Sequence, residues 1–253
     1  MIKFFRKIRY DLMEKNKTGK YLKYAIGEII LVVIGILIAL QINNWNEKQQ
    51  ALNEIESNFQ NLIEDLESNK VQLLNLIEER EYVSKGGGFL LDNYENKVQV
   101  SENEFVDKLK PVLSERYFQI NRNGIDKVLT SSAIELKEME TIRELIKSYL
   151  RDTGILNTFE TKENAAIENM EMITAGNGYF RTVWKTFRKN RYKTTTEYNN
   201  PDFDFLSIMN NDELLYMVFR YEFVTQFAIN YYNILIEKGD EIIKTIENYR
   251  SSK

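Results

Sequence analysis

Arg181, Lys185, Arg188, Lys189, Arg191 and Lys193 interleave with Tyr179, Phe180, Trp184, Phe187 and Tyr192, in a chain of formal net charge −4. Such a mixture can grip phosphates, sulfates, anionic glycans or lipid headgroups through guanidinium pairing and ring contacts. The stretch is therefore a candidate site for an anion or a protein partner, with Arg181, Trp184, Lys185, Arg188, Lys189 and Arg191 as its contacts. The competing reading is a solvated basic helix face that balances nearby Asp and Glu while its rings enter the core, the usual place of aromatics at helical spacing.

A second constellation is Glu28, Gly35 and Ala39. On a helix, Gly35 and Ala39 fall within about 20° of Glu28, giving one polar face with two small residues that suits close helix–helix contact, including contact with a second copy of the chain. The plainer reading places Glu28 at the edge of an apolar segment with the small residues incidental.

Other chemistry is excluded by composition. The chain has no cysteine and no histidine. That removes disulfides, thiol nucleophiles, zinc–thiolate sites, His-based triads and Glu-x-x-His di-iron sites. Phosphate-binding glycine loops and Ser-x-x-Lys elements do not occur either. Asp202 and Asp204 flank Phe203, which falls well short of a calcium cage of 6 to 8 oxygens. No cofactor and no metal are expected.

The element that positions everything else is Tyr24 to Ile42, with only Glu28 and Gln41 polar. Such a helix spans roughly 28 Å, about one hydrocarbon core. Ile29 to Leu40 is apolar on every side, which suits lipid, and Leu-Gln-Ile after Ala39 does not supply a signal-cleavage site. Eight basic residues precede the span, whereas Lys48 is the only base in the 20 positions after it. The positive-inside rule then puts the N-terminus in the cytoplasm and the remainder outside. Ile2, Phe5, Ile8 and Leu12 share a helical face among Lys3, Arg6, Lys7 and Arg9, which fits either a helix in the cytoplasmic headgroup layer or a simple basic flank.

The block KYAIGEIILVVIGILIALQINNWNE, Lys23 to Glu47, with its basic MIKFFRKIR start, resembles the N-terminal module of an uncharacterised family of single-span membrane proteins from Bacteroidota. Farther on, only Val128 to Leu150 and the general helical pattern look similar. The resemblance implies an inner-membrane anchor and an extracytoplasmic helical domain, and it implies no activity.

Beyond Trp45, an interfacial aromatic, a heptad runs through Leu52, Phe59, Leu66, Leu73 and Arg80 at one position and Lys48, Ile55, Leu62, Asn69, Leu76 and Val83 at the other. Ile63, Leu74 and Ile77 widen the stripe, which argues for a bundle core over a pure coiled-coil stalk. Gly86-Gly87-Gly88 is expected to end this helix, with residues 85 to 100 as the distal connection. Ser101 and Glu104 form a capping box for a short helix that Pro111 ends or kinks. A short helix follows near Ile125 to Ser131, then a long one from Glu138 to about Thr174. Asn199 to Asp202 reads as a turn. Asn210, with Glu213 as its capping-box partner, begins a final helix of nearly 40 residues whose apolar face runs from Leu214 to Tyr249 and pairs antiparallel with the first.

The expected fold is all-α: a single N-terminal transmembrane helix followed by an elongated antiparallel helical bundle of about four long segments. Residues 1–23 form a cytoplasmic basic segment, 24–42 the span, and 43–253 the periplasmic domain. Eight bases and two acids in residues 1–24 leave the exported part acidic, so nucleic acid is excluded as a partner. The bilayer and an envelope protein are the expected partners. The leading functional reading is a non-enzymatic binding or scaffolding module; the alternative is a ligand sensor that signals through a separate protein. An enzyme working with carboxylates alone would need two facing acids in a cleft.

Overall fold

The computed structural model describes residues 18–176 and 203–252, and every element among them is helical. In chain order these are α1 (Thr18–Glu95), α2 (Glu102–Val112), α3 (Asn123–Thr130), 3₁₀ turns at Ser132–Glu135 and Lys137–Met139, α4 (Glu140–Gly176), α5 (Phe205–Met209) and α6 (Asp212–Ser251). The chain divides into two compact units: residues 1–57 with 131–133, and residues 58–130 with 134–253.

In the first unit, α1 is exposed on all sides from Ile29 to Gln50. It is the one helix among the described residues long and apolar enough to cross a membrane, with a mean hydropathy of 2.6 and none of that window buried. An all-round apolar surface has no favourable place in water, and a helix meets its own backbone hydrogen bonds inside lipid.

The second unit is built on three long helices. Phe59, Lys70, Arg80 and Gly87 of α1 meet Tyr249, Asp240, Tyr232 and Val218 of α6 in turn, so the two run antiparallel. On α4, Asp152 meets Lys238 and Glu160 meets Tyr232, so α4 is antiparallel to α6 as well and parallel to α1. Among the described residues, three long helices, α1, α4 and α6, thus form this bundle. Phe59, Leu62, Leu66, Leu73, Leu76 and Val83 are all buried, and so are the two polar members of the same seam, Asn69 and Arg80. Each fully buried Leu or Phe contributes about 1.5–3 kcal/mol.

Helix α1 does not stop at its glycines. Gly86 and Gly87 are buried in its last turns, against Lys108 of α2 and Val218 of α6. Packing on both sides outweighs the low helix propensity of glycine, about 1 kcal/mol per residue. The helix runs on to Glu95 and is closed by Lys97, which adopts φ 56° while the Lys97 and Val98 N–H groups donate to the Tyr94 and Asn93 carbonyls. This is a Schellman closure with lysine at the left-handed position where glycine is usual. The connection is therefore far shorter than the stretch 85–100.

The Ser101–Glu104 capping box forms as expected, and α2 runs one residue past Pro111. The cap of α6 is one residue later than expected. Asn211 accepts from the Leu214 N–H, which puts Leu214 where a capping box needs Glu or Gln and leaves Glu213 outside that role. Asp204 caps α5 by accepting from the Ser207 N–H.

Residues 115–122 carry no regular element. Their backbone is instead paired by side chains of the flanking helices, which answers the requirement that polar backbone near a core find partners. Asn164 of α4 bonds both the N–H and the carbonyl of Arg116. Gln72 and Asn69 of α1 do the same for Gln119 and Asn121. Asp65 then accepts from the Gly124 N–H at 2.6 Å, and a Cβ at Gly124 would lie only 2.3 Å from the Asn61 backbone. Helix α3 can approach α1 this closely only with glycine there.

Candidate partner-binding surface

A polar cluster inside the bundle fixes how α1, α4 and α6 meet. Arg80 is fully buried and donates from Nη1 and Nη2 to the two oxygens of Glu163 at 2.9 and 2.6 Å, and from Nε to Tyr232 Oη at 2.9 Å. Tyr232 Oη in turn donates to Glu160 at 2.5 Å, and the other Glu160 oxygen accepts from the Phe118 N–H at 2.9 Å. Burial opposes the charge on Arg80, but the bonded Glu163 carboxylate outweighs it and holds the guanidinium protonated above its ordinary range. Burial also lifts Glu160 above the usual carboxylate range, against the pull of its Tyr232 and Phe118 bonds and of Arg80, and it lifts the Tyr232 phenol likewise.

This cluster is enclosed, with Arg80, Glu160 and Tyr232 fully buried and Glu163 nearly so. The cavity beside Glu163 and Tyr221 measures about 10 Å³, room for roughly one water. Its role is to lock three helices in one register, because a buried cation and carboxylate tolerate only geometries that satisfy both.

What that register presents to solvent is the opposite face of α6. Tyr216, Phe219, Phe223 and Phe227 recur at 3, 4 and 4 residues, one helical face, and all four are exposed, Phe219 by 60% and Phe223 by 75%. Phe227 packs at a tilt against Phe159 of α4 and Tyr231, with ring centroids 4.6 and 4.8 Å apart. At the N-terminal end of this stripe is a groove of about 330 Å³, lined by Asp212, Leu215, Tyr216 and Phe219 of α6 and by Leu91, Tyr94 and Glu95 of α1. Single exposed apolar residues are ordinary, whereas four aromatics in one line make a contiguous apolar patch, a candidate for contact.

The residues singled out from sequence lie elsewhere. Arg181, Trp184, Lys185, Arg188, Lys189 and Arg191 fall outside the described residues. In the first unit, Glu28 is half-buried and Gly35 and Ala39 are exposed, with open space where a Gly35 side chain would stand. The core-facing period from Leu214 onward takes in Phe227 but not Tyr216, Phe219 and Phe223, which follow a second period on the other side. Its signal was in the sequence: aromatics at 216, 219 and 223 occupy positions that a one-sided amphipathic helix fills with polar residues.

The molecule is thus an all-α protein, with one helix among the described residues long and apolar enough to span a membrane. Residues 28–87 are similar to a family of unknown function (DUF6090). That stretch begins within the apolar segment and reaches Gly87, well past the Lys23–Glu47 block that carries the resemblance read from sequence. No characterised protein and no solved structure shows significant similarity to the chain.

Proposed function

We propose that this chain is a non-enzymatic envelope protein, held in the cytoplasmic membrane by an uncleaved span with its N-terminus inside, whose helical domain outside binds another envelope protein. The exposed aromatic line Tyr216, Phe219, Phe223 and Phe227 carries this reading, since burying such a face against a partner is worth about 25 cal/mol per Å². The charge asymmetry around the span supports the orientation. The test is purification of the full-length protein from native membranes beside a Phe219→Asp/Phe223→Asp variant. Both positions are exposed, so the variant is expected to fold, and selective loss of the companions recovered with the native chain supports the reading. Recovery of the same companions at the same yield rejects it.

A further inference from the structure

We infer that the partner of the α6 face is a helical segment with an apolar side flanked by basic residues. The inference rests on the reading of that face as a docking surface and adds the chemistry of what docks.

Length comes first. Tyr216 to Phe227 covers about 16 Å of helix, and the groove opens directly into that line through its shared residues Tyr216 and Phe219. The footprint suits an apolar helix face of about three turns, which is the helix-in-groove mode.

Charge then selects among such helices. Among the described residues, the groove lining contains two carboxylates, Glu95 and Asp212, and no cation. Lys97, the nearest base in sequence to Glu95, is not part of the lining. Asp212 has a local explanation, because it sits in the first turn of α6, where the helix dipole favours an acid. Glu95 has none. It is in the last turn of α1, where the dipole disfavours an acid, and that turn has no basic residue. Its placement there costs local stability and gives the groove a negative mouth. Along the aromatic line itself the charges offset, with Glu222 half-buried beside Gly88 and Arg220 half-buried next to Phe219, so the excess of acid is at the groove. A second copy of this chain would bring the same acids to the contact and be repelled, whereas Lys or Arg flanking an apolar helix face would be attracted and oriented.

The experiment uses full-length protein in phosphatidylcholine nanodiscs and two 14-residue helical peptides as probes, one with a Leu face flanked by Lys and the other with the same Leu face flanked by Glu. Binding is read on native protein, on Glu95→Gln/Asp212→Asn, on Glu95→Gln alone, and on Phe219→Ser/Phe223→Ser. The Lys peptide is expected to bind native protein at least tenfold more tightly than the Glu peptide, to weaken as salt rises, and to lose most of that advantage on the double amide variant. Glu95→Gln alone is expected to lose part of it without loss of stability, which guards against a folding defect from Asp212. Equal binding of the two peptides, or undiminished preference on the double amide variant, overturns the inference about charge. If the phenylalanine variant still binds the Lys peptide as native protein does, the docking surface itself is wrong, and the two failures are thereby told apart.

Discussion

Arg80 and Glu163, 83 positions apart in the chain, meet as a two-point fork with the guanidinium fully buried and the carboxylate nearly so. Breaking one side of such a pair strands a charge in the core, which costs about 3–5 kcal/mol, while replacing both sides by apolar groups is often close to neutral. Arg80→Met is therefore expected to destabilise the full-length protein in detergent micelles by that amount. Arg80→Met/Glu163→Leu should recover most of the loss. Urea unfolding of the two variants checks this, and a double variant no better than the single one would mean that the fork itself, not the stranded charge, sets the stability.

Glu160 makes a separate prediction with a definite sign. Its burial holds a proton more tightly in the folded chain than in the unfolded one. The folded chain then binds more protons between the two pKa values, so this residue's contribution to stability falls as pH rises from about 4.3 through the higher folded value, and then levels off. Glu160→Gln cannot titrate. Unfolding midpoints of native protein minus those of the variant should slope downward above about pH 4.3. A flat difference above that pH, with an upward slope below it, would show that the Tyr232 and Phe118 bonds favour the carboxylate more than burial disfavours it.

The glycines of the bundle divide into two kinds. A Cβ at Gly87 or Gly88 would sit 3.5 or 3.6 Å from its nearest neighbour, an ordinary contact, whereas one at Gly124 would overlap the α1 backbone at 2.3 Å. Gly87→Ala and Gly88→Ala are each expected to stabilise by about 0.5–1 kcal/mol through helix propensity. Gly124→Ala should destabilise by about 1–3 kcal/mol, the cost of forcing packed elements apart. Thermal unfolding of the three variants distinguishes them, and a loss on Gly87→Ala would mean that α1 needs its glycines for something other than fit.

These cases also show what a sequence discloses. The seam from Phe59 to Val83 was legible because a seven-residue period is local, and it placed even Asn69 and Arg80 correctly on the buried side. What they do there was not legible, since their partners Asn121, Glu163 and Tyr232 lie 52, 83 and 152 positions away. The glycine triplet misled for the opposite reason. A local rule for helix ends was overridden by tertiary contacts with α2 and α6, and the true end at Lys97 carries no glycine. Residues 115–122 have no periodicity to read, because side-chain amides take the place of a strand's backbone partners. The candidate surface on α6 was legible in principle, as a second apolar face on a helix that already had one.

The most direct measurement uses the absence of cysteine from the chain, which makes every introduced thiol unique. Phe223→Cys probes the centre of the aromatic line and Glu237→Cys an exposed position two turns or more farther along α6. A membrane-impermeant maleimide is applied to spheroplasts and, separately, to the same proteins purified in detergent. Glu237→Cys is expected to label equally fast in both, as a domain outside the cytoplasmic membrane requires, and Phe223→Cys to be protected several-fold in spheroplasts and released on purification. Equal labelling of Phe223→Cys in both settings would contradict the claim that this face is covered by a partner, and failure of Glu237→Cys to label in spheroplasts would contradict the orientation.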